Sequence, residues 1–337
     1  MDELARAAPS DRAAVFRTAA AECGLPPRYI EKDFWVCWLL HRVFGPPLVE
    51  GMVFKGGTSL SKIWNAIERF SEDIDLTLPQ AGLPGAKDIL IQDDQSATQR
   101  KTLKQHIDEA LQRWGSGEGR KAISERIEEV LGGQVKWRLA ARDDALEFEY
   151  PTPLSTDQGG ADYVLPRVRL EFGAVMPVVP AEQASLRPYC ARAGRYVMPD
   201  PEVHVRVLAP ERTFWEKATL VHAENHRPEP KAVGSRLSRH YADLAALESH
   251  DIGARALQRI DLLRGVAQEK RRYFHAGWAQ YEDAADGRLK LVPPREHERV
   301  RRRDYAGMRE LYFSEPLEFD EILERLDRLE QNVNNRS

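Results

Sequence analysis

Hydrophobic side chains recur at helical spacing along most of the chain, and at a few short places they alternate with polar ones. Residues 27–44 show the helical pattern clearly, because Ile30, Phe34 and Leu39 fall near one face of a helix. Similar stretches follow in the middle of the chain and after residue 210. Helices are predicted over residues 10–23, 27–44, 59–69, 96–115, 119–131, 211–224, 237–248, 254–275, 295–311 and 317–332.

Strands are indicated where apolar and polar residues alternate with a period of two. Ile74 and Leu76 face one way in such a stretch, while Asp73 and Asp75 face the other. The middle of the chain shows the same alternation of apolar and charged residues. Strands are predicted over residues 49–55, 74–78, 135–140, 145–150 and 163–174.

These elements predict an α+β fold, in which a mixed β-sheet with flanking helices is followed by a mainly helical half. We expect one domain over residues 1–180 and a second, mainly helical domain over residues 205–337. Six prolines thicken the connection between residues 177 and 210, which places the boundary there.

Composition narrows the class of protein. With 337 residues, 42% of them hydrophobic and 30% charged, the chain can bury a full core. Its formal charge of -4 means that a nucleic-acid partner must be met by a local basic surface. The chain has three cysteines, an odd number, and no CxxC pair: Cys23, Cys37 and Cys190. This pattern argues against a disulfide framework or a zinc site and favours a reducing cytoplasm. The start is too acidic for a signal peptide, and no apolar run reaches the roughly 20 residues of a membrane helix.

Two glycines, Gly56 and Gly57, stand before the predicted helix at 59–69, and two aspartates follow it. Glycine lets backbone N–H groups approach an anion closely, and a helix N-terminus carries partial positive charge. Asp73 and Asp75 share a strand face and repel each other unless a cation lies between them. Magnesium typically takes one or two carboxylates together with phosphate oxygens. The combination predicts a site for a nucleoside triphosphate and a metal, although either half alone is more often a plain turn or a solvated strand face.

The segments GGTSLSK and ERFSEDIDL together resemble the signature of the DNA polymerase β superfamily of nucleotidyltransferases. More specifically, the chain resembles the AbiEii/AbiGii toxin family of abortive-infection toxin–antitoxin systems. The segments IEKDFWVCWLL, LAPERTFWEKATLVHAE, SRHYADLAAL and DYAGMRELYFSEPLEFDEILERLDRLE are similar to recurrent segments of that family. Thr58 to Glu72 separate the second glycine from Asp73, a slightly longer spacing than the superfamily signature has.

The resemblance implies a role for each matching residue. Asp73 and Asp75 would hold Mg²⁺ or Mn²⁺, and Lys217 and Asp243 match the downstream catalytic lysine and aspartate of the family. Glu171 is the candidate for a third carboxylate, which superfamily members add from a neighbouring strand. Nucleotide binding is expected at Gly56, Gly57, Thr58, Ser59, Lys62 and Ser71.

Other interpretations of three of these residues remain open. Lys217 has the alternative of a solvated helix lysine, and Asp243 that of an ion pair with Arg239 one helical turn away. Glu171 shares a strand face with arginines at 167 and 169, so its alternative is a salt bridge.

The function implied by the resemblance is transfer of a nucleoside monophosphate from a nucleoside triphosphate to an acceptor hydroxyl, with release of pyrophosphate. The helical domain would contribute to the active-site cleft, the acceptor would be the 3′ end of tRNA, and a cognate antitoxin would be encoded nearby. A kinase-like phosphoryl transferase or a non-catalytic nucleotide-binding module would use the same loop.

Two segments that interleave basic and aromatic residues, 270–275 and 297–305, are candidates for RNA contact. The scattered histidines 204, 222, 226 and 240 do not have the spacing of a zinc site.

Overall fold

The computed structural model describes residues 1–142, 145–154, 165–274 and 276–336, without the side chain of Gln134. The described chain forms two compact units. The first comprises Met1–Ile63, Ser71–Asp88 and His106–Val207, and the second comprises Trp64–Phe70, Ile89–Gln105 and Leu208–Ser337.

Helices and strands follow one another in mixed order through the first two thirds of the chain. They are α1 (Asp2–Arg6), α2 (Pro9–Cys23), α3 (Pro27–Phe44), β1 (Val53–Lys55), α4 (Gly56–Lys62), β2 (Asp73–Thr77), α5 (Ala97–Trp114), α6 (Arg120–Leu131), β3 (Arg138–Arg142), β4 (Ala145–Glu149), β5 (Arg167–Gly173), β6 (Ala181–Leu186), β7 (Arg192–Ala193), β8 (Tyr196–Val197) and β9 (Val203–Leu208).

Only helices follow in the described part after β9. They are α7 (Pro210–Asn225), α8 (Ser238–Glu248), α9 (Asp251–Leu257), α10 (Ile260–Tyr273), α11 (Tyr281–Ala285), α12 (Arg295–Ala306) and α13 (Phe319–Asn334), with short 3₁₀ turns between some of them. The predicted mixed sheet with flanking helices and a helical second half is confirmed.

The centre of the first unit is a seven-stranded mixed sheet, in the order β3-β4-β5-β2-β1-β9-β6. Strand β2 lies antiparallel to β1 and parallel to β5, and β5 lies antiparallel to β4. Helix α3 is an apolar helix of this unit, and its Trp35 and Trp38 are fully buried against Phe148 of β4. These two tryptophans therefore belong to the core of the first unit.

Local signals explain the helices whose ends the sequence predicts well. Proline occupies the first position of both α2 and α3, where its missing N–H costs no helical hydrogen bond. Gly24 ends α2 in the left-handed conformation, with φ at +67°. The bounds of α2 and α3 therefore match the predicted 10–23 and 27–44 closely.

The predicted helix at 59–69 is wrong at both ends. Helix α4 begins at Gly56, so the two glycines form its first turn instead of preceding it, and it ends at Lys62. The following segment is not helical: Phe70 N donates to Leu311 O at 2.7 Å, and Phe313 N donates to Glu68 O at 3.1 Å. Backbone pairing with a distant segment thus replaces helical hydrogen bonds.

Three other predictions of secondary structure need correction. The proline-rich connection contains β6 to β9, and β9 lies in the main sheet parallel to β1. The predicted helix at 254–275 consists of two helices, α9 and α10, and His275 lies outside the described residues. The glycine-rich break between α5 and α6 is a π-helical turn, Gly115–Gly119.

The second unit contains α7 to α13 around a core that includes Trp215 and Tyr241, both fully buried. Within the described residues, none of the helices combines the length and the apolar character needed to cross a membrane.

Candidate functional site

Strand β2 places the two aspartates of the DIDL segment on one face. Ile74 and Leu76 are 0% and 1% exposed and face the core, while Asp73 and Asp75 are half-buried on the opposite face. The alternation expected from the sequence is therefore present.

Gly56 is the residue against which Asp75 packs. Its φ is +81°, a conformation that side chains disfavour, and a Cβ atom added there would lie 1.9 Å from Oδ2 of Asp75. The same atom would lie 2.6 Å from Cγ of Asp75. Position 56 thus requires glycine both for its backbone conformation and for the close approach of the carboxylate.

Hydroxyl groups join α4 to the start of β2. Thr58 Oγ1 donates to the carbonyl oxygen of Asp73 at 2.5 Å and lies 3.0 Å from Oγ of Ser71. Ser59 Oγ donates to the carbonyl oxygen of Gly56 at 2.9 Å. Thr58 and Ser59 are fully buried, so these hydroxyls shape the loop. Their contact with a nucleotide stays a prediction.

Strand register adds charged neighbours to the same face. Asp75 has a cross-strand partner on each side, Lys55 of β1 and Glu171 of β5. Arg169 of β5 is the partner of Asp73. Directly paired residues share a face, so carboxylates and cations alternate around the two aspartates. Sequence reasoning missed Lys55, although it stands directly before the glycine pair.

Glu171 forms an ion pair with Arg169 on its own strand, with Oε1 and Nε 3.0 Å apart. The salt-bridge alternative for Glu171 therefore describes the contact that the structure contains. Its part in metal binding stays a prediction, because it would require this half-exposed pair to rearrange.

The two aspartates fit a magnesium ion by their chemistry. They offer hard oxygen ligands from two positions on one strand face, and Asp75 approaches the backbone at Gly56 closely. Magnesium commonly completes such a shell with water and substrate phosphate oxygens. Within the described residues, no three His, Cys, Asp or Glu side chains are arranged as a ready-made metal site.

Two buried ion pairs of α3 support this region, and sequence reasoning missed both. Lys32 is 3% exposed and pairs with Glu72, the residue before Asp73. Asp33 pairs with Lys62 Nζ at 2.6 Å. Glu72 lies between Ser71 and Asp73, and Lys62 is itself a residue that the sequence assigns to the site. The signal available was the run of charged residues in the apolar segment IEKDFW.

Lys62 is therefore held within the first unit. Its ammonium group also lies 3.6 Å from the ring centroid of Tyr189. Burial disfavours the charge of Lys62, but the carboxylate of Asp33 outweighs it and raises the pKa of the lysine above its ordinary value. A nucleotide contact by Lys62 stays a prediction that would compete with this pair.

Lys217 and Asp243 contact each other in the second unit. Nζ of Lys217 donates to Oδ2 of Asp243 at 2.8 Å. Arg69 donates to both oxygens of the same carboxylate, from Nε at 2.6 Å and from Nη2 at 2.7 Å. Lys217 is 7% exposed, Asp243 2% and Arg69 3%, so the three residues form a buried cluster. Arg69 was missed, because its partner is 174 residues away.

Both alternative interpretations of this pair are wrong. Lys217 is buried and not a solvated helix lysine, and Asp243 pairs with Arg69 and Lys217 instead of Arg239. The two cations and their hydrogen bonds hold the pKa of Asp243 well below its usual range despite its burial. The ion-pair partner predicted from helical spacing was outcompeted by a tertiary one.

The basic segments have mostly internal partners in the described residues. Arg271 and Arg272 both pair with Asp93, and Arg302 pairs with Glu298. Arg301 is fully buried. An RNA contact by these segments stays a prediction.

The structure thus brings the predicted residues together in two groups. Lys217 and Asp243 form the second-unit group with Arg69. The first-unit group consists of Gly56, Gly57, Thr58, Ser59, Ser71, Asp73, Asp75 and Glu171.

The chain is similar to known nucleotidyltransferase toxins in sequence and in structure. A family model described as "Nucleotidyl transferase AbiEii toxin, Type IV TA system" matches residues 38–325. No curated protein matches the chain. Among solved structures, MenT4, a nucleotidyltransferase toxin from Mycobacterium tuberculosis, is 20% identical, with 94% of this chain and 98% of that chain covered and a TM-score of 0.42.

Proposed function

Since the chain belongs to the AbiEii family of nucleotidyltransferase toxins from type IV toxin–antitoxin systems, we propose that it is a metal-dependent enzyme that adds a nucleoside monophosphate to the 3′ end of tRNA in the cytoplasm. The observation that carries this proposal is the packing of Asp75 against Gly56, next to Asp73 on the same strand face. A glycine turn and paired carboxylates on adjoining elements are what a nucleoside triphosphate and its metal require.

In the proposed reaction, the 3′ hydroxyl oxygen of the acceptor attacks the α-phosphorus of the triphosphate. A new P–O bond forms, the bond to the β-phosphate breaks, and pyrophosphate leaves while the hydroxyl proton passes to a base. When bound, Mg²⁺ would neutralise charge that develops on the phosphate oxygens. Asp73 and Asp75 are the residues that would hold it.

The other residues of the chain bind and orient. Gly56 and Gly57 present backbone N–H groups without a Cβ atom in the way, and Lys217 is assigned to the phosphates as a compact charge. Glu171 is the candidate base for the hydroxyl proton, once it leaves Arg169. Family membership supports a cognate antitoxin as partner, and we propose that it is encoded nearby.

The test is incubation of the purified chain with tRNA and each of the four nucleoside triphosphates in turn, labelled at the α-phosphate. We expect label to enter tRNA from at least one nucleotide, with lengthening of the 3′ end and loss of activity in EDTA. Asp73→Asn and Asp75→Asn should abolish labelling while the fold survives, because each change removes charge but little volume.

Asp94→Asn is the matched control, since Asp94 is an exposed acidic residue outside both groups. Label that enters only from the γ-phosphate, without lengthening, would show a kinase instead. Labelling by a folded Asp73→Asn/Asp75→Asn double variant at the wild-type rate would refute the metal assignment.

A further inference from the structure

Arg239 is a cation of the second unit that pairs with none of the carboxylates in the described residues. It is the second residue of α8 and lies one helical turn before Asp243, on the same helix face. Among the described residues it makes no salt bridge, and its side chain is only partly exposed. An arginine at this spacing from an aspartate would ordinarily pair with it.

The reason is that Asp243 is already saturated. Arg69 takes both carboxylate oxygens in a two-pronged arrangement, at 2.6 and 2.7 Å, and Lys217 takes Oδ2 at 2.8 Å. Such bidentate, charge-assisted contacts are stronger than a helix-surface pair. Arg239 is therefore left beside a carboxylate that it does not contact.

The resulting cluster carries a surplus of positive charge. Arg69, Lys217 and Arg239 contribute three positive charges and Asp243 one negative charge, which leaves two positive charges in a largely buried place. Burial lowers the pKa of Lys217, and the charges of Arg69 and then Arg239 lower it further against the opposing effect of Asp243. Like charges so close together are unfavourable in the protein alone, and an anionic ligand would relieve them.

A second feature of the same place is His240, the neighbour of Arg239. Its Nδ1 atom is buried without a hydrogen-bond partner among the described residues. Burial and the adjacent cations lower its pKa well below the ordinary value, so the ring is neutral and adds no charge of its own. The cluster therefore contains both a surplus of positive charge and a buried polar atom whose hydrogen bond is not made within the described residues.

We propose that Arg239, together with Lys217, binds the polyphosphate of the nucleoside triphosphate, and that Arg69, by pairing with both oxygens of Asp243, leaves the guanidinium group of Arg239 available for the phosphates. Arginine suits this task because its planar guanidinium group donates two parallel hydrogen bonds to phosphate oxygens. The inference rests on the proposed function for the identity of the ligand, and it adds a substrate-binding residue that the sequence did not suggest.

The experiment measures binding of inorganic tripolyphosphate to the full chain by titration calorimetry, without metal. Arg239→Ala should weaken binding by about 10-fold or more, as expected for loss of a charged hydrogen bond. Arg239→Lys should give an intermediate affinity, since it keeps the charge but loses the paired donors. In the transfer reaction, Arg239→Ala should raise the KM for the nucleotide.

Arg264→Ala is the matched control, because Arg264 is an exposed arginine of α10 without a salt bridge to a described residue. It should bind tripolyphosphate as the wild type does. Circular dichroism should show that all variants are folded, and Arg239→Lys retains the test if Arg239→Ala is not.

The outcomes separate this inference from the proposed function. Unchanged affinity and KM in a folded Arg239→Ala variant of an active enzyme would overturn the inference alone. Wild-type protein that does not bind tripolyphosphate would overturn it as well. Binding that depends on Arg239, in a protein that never labels RNA from any nucleotide, would support the anion site while refuting the transferase reaction.

Discussion

Gly56→Ala is the substitution whose effect the structure predicts most sharply. The new Cβ atom would lie 1.9 Å from Oδ2, 2.6 Å from Cγ and 3.0 Å from Cβ of Asp75. Rotating the carboxylate about its last torsion clears only the oxygen, because Cγ and Cβ are also too close. Another rotamer of Asp75 moves Cγ away but leaves Cβ in place, so strand and loop must also shift apart slightly.

The cost has two parts. Alanine at a φ of +81° loses about 1–2 kcal/mol through backbone strain alone. The steric conflict with Asp75 adds about 1–3 kcal/mol, as overpacking of a well-filled place usually does. The free energy of unfolding should fall by the sum, and transfer activity should be lost, since Asp75 is displaced from the position where it would hold the metal.

Gly85→Ala is the control for the backbone part. Gly85 has a φ of +82°, and an added Cβ atom would meet only Nη2 of Arg113, at an ordinary 3.8 Å. Urea unfolding followed by circular dichroism should therefore show the smaller loss for Gly85→Ala, and its activity should be retained.

A double-mutant cycle isolates the steric part. In an Asp75→Ala background the contacts with Oδ2 and Cγ disappear and only the 3.0 Å approach to the Cβ atom of residue 75 remains, so Gly56→Ala should then cost only slightly more than Gly85→Ala does. If Gly56→Ala in the otherwise wild-type chain costs only as much as Gly85→Ala and keeps full activity, the packing of Asp75 on Gly56 does not exist in solution.

Two further predictions concern buried charges of the first unit. Glu31 is 2% exposed, and burial raises its pKa from the ordinary 4.5 to about 7. Between these two pH values only the folded state keeps the proton, so the free energy of unfolding falls as pH rises through this range. Glu31→Gln should therefore be more stable than the wild type at pH 8, by about 3 kcal/mol from the shift in pKa, and nearly as stable as the wild type at pH 4.5. Urea unfolding at both pH values measures the difference. An equal difference at the two pH values would contradict the prediction. Lys62→Met should lower the free energy of unfolding by about 3–5 kcal/mol, because it leaves the carboxylate of Asp33 buried and unpaired. The Asp33→Asn/Lys62→Met double variant should recover part of the lost free energy of unfolding in the same urea measurement. No recovery would show that the buried Asp33–Lys62 pair does not stabilise the fold.

Local patterns in the sequence were sufficient wherever the determinant of structure was local. The ends of α2 and α3 follow from proline at their first positions and apolar spacing within each helix. The common face of Asp73 and Asp75 follows from the two-residue period of a strand, which no tertiary contact can change without moving the core side of β2 into solvent. The glycine pair and the two aspartates on that face, and through them the family, could therefore be recognised from the sequence alone.

Tertiary structure decided the features that depend on residues far apart in the chain. Strand β9 lies in a proline-rich stretch, and the alternation of its valines acquired meaning only through pairing with β1. Asp243 had a suitable partner one helical turn away, but Arg69 reaches it from 174 residues earlier and binds both of its oxygens. Two direct contacts in a buried place outweigh one solvated contact on a helix surface. Sequence spacing shows which pairs are possible, whereas the fold determines which of them are desolvated and close enough to form.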